Sequence, residues 1–363
     1  MNIRYRKELD GIAVYRPGKP IDEVKRELGL NRVIKLASNE NPFGCSPRVK
    51  DAVIKVMDEV NLYPDGNATI LKQVIAKKFN VDPDMVLPSA GSDEMIDLIS
   101  KSFVEPGDEV VMADITFPRY YATAIMMGGK PVIVPLKNLA YDLEGIKKVV
   151  NEKTKLVWLC NPNNPTGTIF SEKELVSLLE VIPPTTLVVY DEAYNEFATS
   201  EEYPKDSLSV IKKYKNMIVM KTLSKAYGLA GLRVGYTIGD AEILNVINKI
   251  RNPFNVTLIT QAAAVAAIED TEFLKKVVDN NTAGKHYIYE EFDKMGIEYA
   301  KTEANHIIFN AKKDAEVVFK ELLMRGVIIR PQSGFTPNTW LRVSIGTMEE
   351  NKIFIEELKE VLK

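Results

Sequence analysis

From about Val33 onward the chain alternates short apolar runs with amphipathic helical stretches, and few folds accommodate that rhythm. A strand that is apolar at successive positions must be covered on both faces, which sets helices on either side of a mostly parallel sheet. Strand runs are read at Val86–Pro88, Glu109–Met112, Pro131–Pro135, Leu156–Leu159, Leu187–Tyr190 and Ile218–Lys221. Helix starts are read at Ser92, an N-cap followed by Asp93 and Glu94, and at the capping box Ser171-Glu-Lys-Glu174. Past Arg251-Asn-Pro253 the rhythm changes to long helices, Val256–Ile268 and Thr271–Met295. An α+β tail follows, closed by a helix capped at Thr347. The expected fold class is α/β, with a large domain over residues 35–252 and a smaller α+β domain over 253–363. Residues 1–34 are read as an N-terminal arm on the small domain, holding a helix Ile21–Leu28 stopped at Gly29.

Composition narrows the chemistry. A 363-residue chain that is 45% hydrophobic and 27% charged builds a sizeable core under a polar surface. A formal charge of −3 gives no reason to expect nucleic acid or an anionic membrane as partner. Cys45 and Cys160, far apart in sequence, read as reduced thiols of a cytoplasmic protein. His286 and His306 have no metal-ligand spacing and no nucleophile to serve, so neither a metal nor a Ser-His-Asp triad is expected. No Gly-x-Gly-x-x-Gly turn with a following acid appears early, which argues against a dinucleotide-dependent dehydrogenase. The chemistry must run on lysine, carboxylates, tyrosines and arginines.

Thr222 to Tyr236 supplies the lysine. Lys225 comes just after a buried strand and the hydroxyl residues Thr222 and Ser224, with Arg233 eight positions on. An amine nucleophile beside hydroxyls and a guanidinium is what pyridoxal phosphate (PLP) needs for its aldehyde and its phosphate. Taken alone, the stretch also reads as a solvent-facing lysine and a surface arginine. Leu187 to Tyr194 adds Asp191 at the end of an apolar strand, where a carboxylate calls for a cation such as a protonated pyridine nitrogen. Tyr194, three positions on, is a donor to the ring oxygen; a helix cap and a packing aromatic are the plain alternatives for the two. Asn161 to Gly167 is a rigid Pro/Gly loop in which Asn164 is a second donor, or an ordinary Asn-Pro turn. The small-residue turn Gly91-Ser92-Asp93 enters a helix and suits a phosphate, and Phe117 can lie flat on a pyridine ring or simply fill core.

Assembled, these residues resemble the fold-type I PLP-dependent transferases, and within them the histidinol-phosphate aminotransferase family, from end to end. The features that carry the likeness are Tyr15 to Pro20, Leu36 to Pro42, Tyr63 to Gly66, Asn161 to Gly167, Asp191 to Tyr194, Thr222 to Tyr236, Asn252 to Val256 and Leu341 to Gly346. The resemblance implies that Lys225 bonds the coenzyme aldehyde, Asp191 pairs with the ring nitrogen, and Asn164 and Tyr194 bond the ring oxygen. It assigns the phosphate to Thr222, Ser224, Arg233 and the Gly91–Asp93 turn, with Tyr63 reaching it from the second subunit of a homodimer. Phe117 takes the stacking position, where members of the family often carry tyrosine. Arg330 and Arg342 match the substrate-anion arginines, with Tyr15 and Asn39 in the same pocket. The implied reaction moves the amino group of histidinol phosphate to 2-oxoglutarate by ping-pong chemistry. An aromatic amino acid aminotransferase and a threonine-phosphate decarboxylase share the scaffold. A non-catalytic regulator would need a DNA-binding domain that the first thirty residues do not hold.

Overall fold

Apolar strands need cover on both faces, and the chain supplies it. The computed structural model describes residues 3–12, 14, 20–332 and 334–363. A short strand β1 (Ile34–Lys35) precedes β2 (Val86–Ser89), β3 (Glu109–Ala113), β4 (Lys130–Val134), β5 (Thr154–Cys160), β6 (Leu187–Asp191), β7 (Met217–Thr222) and β8 (Gly235–Ile238). Strands β2 to β8 form one seven-stranded sheet in the order β2-β8-β7-β6-β5-β3-β4. Within it only β8 runs against its neighbours. Every residue of β6 and β7 is buried, which is why both read as unbroken apolar runs rather than as alternation. Both edge strands carry a proline, Pro88 in β2 and Pro131 in β4, where a missing N–H costs least.

Helices Ser92–Phe103, Arg119–Met126, Leu143–Val149, Glu172–Leu179 and Ser207–Lys213 cross over between consecutive strands from β2 to β7. The Ser171–Glu174 capping box is formed in full. The expected N-cap at Ser92 is not: Gly91, at φ 87°, is the cap and Ser92 is the first helical residue. The reason is the backbone, since φ 87° with ψ 166° is a conformation that a residue with a Cβ rarely adopts, and the space a Cβ would take holds the end of the Arg233 side chain.

A second core gathers Ile288, Phe292, Phe309, Leu341, Val343, Phe354 and Leu358. Its strands are β9 (Glu298–Tyr299), β10 (His306–Asn310), β11 (Val327–Ile328), β12 (Arg330–Pro331) and β13 (Trp340–Ser344). β12-β13-β10-β9 is an antiparallel sheet, while β1 pairs in parallel with β11. That pairing stitches the start of the chain to its end, and Val24 of helix Ile21–Leu28 joins Val33, Ala37 and Ile328 in a small cluster. The first core continues past residue 252. Helix Leu258–Glu269 lays Ala263, Ala264 and Ala267 into it against helices Pro47–Val56 and Thr69–Phe79, and it reaches Val277. The change of core therefore falls inside the long helix Thr271–Met295.

Candidate active site

In an open sheet of this kind a ligand site forms beyond the carboxyl ends of the strands. β5, β6 and β7 end in Cys160, Asp191 and Thr222, so the loops that follow carry Asn164, Tyr194 and Lys225 to one place. Asp191 is buried, 3% exposed. Its Oδ2 accepts a hydrogen bond from the Tyr120 hydroxyl and its Oδ1 accepts from the Ala193 N–H at 3.0 Å. Burial pushes its carboxyl up to about 6, while those two donors hold it down. It caps no helix: the next helical turn begins at Asn195. Among the described residues no cation makes an ion pair with it.

Tyr120 is a site residue that the sequence reading missed. Its ring stacks on Trp158, centroids 4.6 Å apart, and its edge meets Phe117 at 5.7 Å. A tyrosine fully buried in an apolar helix face must find an acceptor for its hydroxyl, and here the acceptor is the Asp191 carboxylate. Phe117 thus packs T-shaped against the tyrosine that holds the carboxylate.

The Lys225 amine donates to the Ser38 carbonyl at 3.1 Å and lies 5.8 Å from the Tyr194 ring centroid. Burial, then the charge of Arg342, pushes the amine down to about 8, against the pull of Glu40 and Asp93. An amine poised there can exchange protons near neutral pH. The Tyr194 hydroxyl accepts from Nδ2 of Asn39 at 2.9 Å, and its ring meets the edge of His306 at 5.0 Å. Burial raises the Tyr194 hydroxyl well above its ordinary value. Asn39 holds a left-handed backbone, φ 55°. It is anchored by Ser344 on both its N–H and its Oδ1, and by Asn305 on its carbonyl.

Arg342 donates to Oδ1 of Asn164 at 2.7 Å and to the Ala37 carbonyl at 2.8 Å. With its oxygen held, the Asn164 amide offers its N–H groups as donors. Arg330 and Arg342 are direct cross-strand partners in β12 and β13. Like charges opposite one another are unfavourable in a ladder, and a bound anion relieves the repulsion.

A second anion site lies at the other side. Arg233, itself left-handed at φ 51°, lies 3.5 Å from the Ser224 hydroxyl through Nη1 and 3.5 Å from Asp93 through Nη2. Thr222 Oγ1 accepts from the Ser224 N–H at 3.1 Å. A Cβ at Gly235 would stand 3.0 Å from the Ser92 nitrogen, so glycines at 91 and 235 let the guanidinium and the helix N-terminus share one small space. Backbone N–H groups, a guanidinium and two hydroxyls make a phosphate cradle. Asp93 contributes its N–H to that set; its carboxylate is an acceptor and serves Arg233. Glu94 braces the turn, accepting from the Ala90 N–H at 2.6 Å and from Nδ2 of Asn255 at 2.7 Å.

The set fits a PLP-like group: a buried carboxylate for a ring nitrogen, an amine for an aldehyde, donors for a ring oxygen and a glycine-lined cradle for a phosphate. Two expected residues are not brought in. Tyr63 is 84% exposed and stacks on Phe254 at 4.6 Å. Tyr15 lies outside the described residues.

Residues 31–358 match the family model for aminotransferase class I and II. A histidinol-phosphate aminotransferase of Caldicellulosiruptor saccharolyticus is 47% identical over 99% of this chain and 100% of its own length. One of Moorella thermoacetica is 44% identical over 98% of this chain and 92% of its own. Among solved structures, histidinol-phosphate aminotransferase from Sinorhizobium meliloti in complex with pyridoxal-5'-phosphate superposes with a TM-score of 0.89. It is 30% identical and is matched over 99% of this chain and 97% of that one.

Proposed function

The chain belongs to the class I and II aminotransferases, and we propose that it carries the amino group of histidinol phosphate to 2-oxoglutarate with PLP as coenzyme. The observation that carries the reading is Asp191, a buried carboxylate with no ion-pair partner among the described residues, at the same end of the sheet as a lysine of lowered basicity. When bound, the coenzyme supplies an electron sink for negative charge at the substrate carbon.

The chain's own residues do the rest. Asp191 holds the ring nitrogen protonated, and Tyr120 holds Asp191. Lys225 would hold the aldehyde, and its amine, of lowered basicity, would move a proton at the substrate carbon. Tyr194 and Asn164 would donate to the ring oxygen, and Phe117 would lie against the ring. Thr222, Ser224, Arg233 and the N–H groups of Gly91, Ser92 and Asp93 hold the coenzyme phosphate. Arg330 and Arg342, with Asn39 and Tyr15, take the substrate phosphate in one half-reaction and a carboxylate in the other, a dual fit suited to the guanidinium fork.

Tyr63 serves the phosphate of a second subunit in a homodimer. Ile54, Met57, Val60, Leu62, Tyr63 and Ile70 are all exposed around one turn of chain, and such a patch calls for cover by another copy. The division into an arm to residue 34, a large domain to 252 and a small domain beyond it belongs to this reading, with the first core running on past 252 into helix Thr271–Met295. So does a cytoplasmic location, which suits the free thiols of Cys45 and Cys160. Turnover of histidinol phosphate, tyrosine and phenylalanine with 2-oxoglutarate tests the substrate. Histidinol phosphate is expected to lead by tenfold or more, roughly the cost of an unpaired arginine; equal efficiencies overturn it.

A further inference from the structure

Behind the pocket lies an ion pair that the chemistry above does not use. Nζ of Lys221 is 2.5 Å from Oε2 of Glu192, and the two side chains are 3% and 2% exposed. Lys221 adjoins Thr222 in β7, so it faces the opposite side of the sheet from the phosphate cradle. Glu192 adjoins Asp191, and its N–H donates to the Met220 carbonyl at 2.8 Å, closing the β6–β7 ladder at its last pair, Asp191 and Met220, so that Glu192 and Lys221 are the first residues beyond it. The Tyr203 hydroxyl lies 3.0 Å from Oε1 of Glu192 and 3.1 Å from the Asn161 carbonyl, sharing its proton between them. Asn161 opens the loop that carries Asn164. One polar network therefore ties together the three strand ends whose loops bear Lys225, Asp191 and Asn164.

Stability is a poor reason for such a pair. Taking two charges out of water costs about what their attraction returns, and well-packed apolar residues serve a core as well. The four residues before Lys221 in β7, Met217 to Met220, are such residues. What an ion pair supplies and a methyl contact does not is one preferred distance, and here that distance spans the point where the backbone ladder stops. We propose that Lys221 and Glu192 are a positioning pair that sets the separation of the Lys225 amine from the Asp191 carboxylate. The inference rests on the roles given above to Lys225 and Asp191.

Glu192→Asp tests it, because this variant keeps the charge balance and shortens the reach by one carbon. Three readouts are taken: thermal unfolding, kcat and KM of the holoenzyme, and the pH dependence of Lys225 acylation in coenzyme-free protein, mapped by mass spectrometry. The expected result is near-native unfolding, kcat lowered at least roughly fivefold with KM little changed, and an acylation midpoint moved upward as water reaches the amine. Adding Lys221→Arg, whose longer side chain spans the missing carbon, is expected to recover part of both losses. Native kcat and midpoint overturn the proposal, as does a variant that fails to fold or loses only stability. Lys225→Ala separates this failure from failure of the underlying reading: if it keeps the coenzyme absorbance, the assignment of Lys225 is wrong, and if it loses that absorbance, only the pair is in question.

Discussion

The two sheets reach the pocket by different means. Lys225, Asp191 and Asn164 follow strands buried along nearly their whole length, so their backbones start from the most constrained part of the molecule. Arg330 and Arg342 lie within a short antiparallel sheet, half-buried, with their charges set against one another across the ladder. The first arrangement suits groups that must not move while protons do. The second suits groups that take an anion of either kind. Chemistry and selection are thus assigned to separate cores, joined where Asn39 touches both Tyr194 and Ser344.

That division can be broken from either side. Lys225→Ala is expected to abolish multiple turnover and the absorbance of the attached coenzyme; an unchanged spectrum contradicts it. Asp191→Asn is expected to lower kcat roughly a thousandfold or more, and a loss below about tenfold would count against the electron-sink role. The same variant sharpens the electrostatics without coenzyme. A carboxyl raised from 3.8 to about 6 by folding contributes stability that is present at low pH and lost as pH rises through about 6. Coenzyme-free Asp191→Asn should therefore outlast the parent in urea above pH 6, by on the order of 3 kcal/mol, with the gap closing towards pH 4.

On the selection side, Arg330→Leu is expected to cost about 2 kcal/mol in kcat/KM for histidinol phosphate while leaving the coenzyme spectrum intact. A changed spectrum with unchanged KM would merge the two functions. The smallest effect belongs to Tyr120→Phe. Removing this donor raises the Asp191 carboxyl further, so kcat should fall about threefold near pH 8 and more steeply towards pH 6. A superimposable pH–rate profile would remove Tyr120 from the site.

Much of this was legible because ligand chemistry leaves lone polar residues at the ends of apolar runs. Asp191 after Leu187–Tyr190 and Lys225 after Met217–Lys221 stand out for that reason. The capping boxes at Ser171 and Thr347 were equally plain, since both partners lie within four residues. What escaped depended on distant neighbours. β8 starts within the last two residues of the Thr222–Tyr236 motif, and its antiparallel direction is decided by the slot between β2 and β7 rather than by Gly235-Tyr-Thr-Ile. Tyr120 follows the periodicity of a core aromatic, which it is, and only the approach of Asp191 reveals its second role. Gly91 takes the cap from Ser92 with a backbone conformation suited to glycine, and the space this leaves is filled by Arg233, 142 positions away. The alanine face of Leu258–Glu269 does not say which of two cores it enters.

The central claim is that Lys225, facing Asp191 across one site, is the point of covalent attachment. Borohydride reduction of the PLP-loaded protein, followed by peptide mapping, tests it most directly. A single phosphopyridoxyl adduct on the peptide containing Lys225 is expected; an adduct on a different lysine, with Lys225 unmodified, would refute attachment at Lys225.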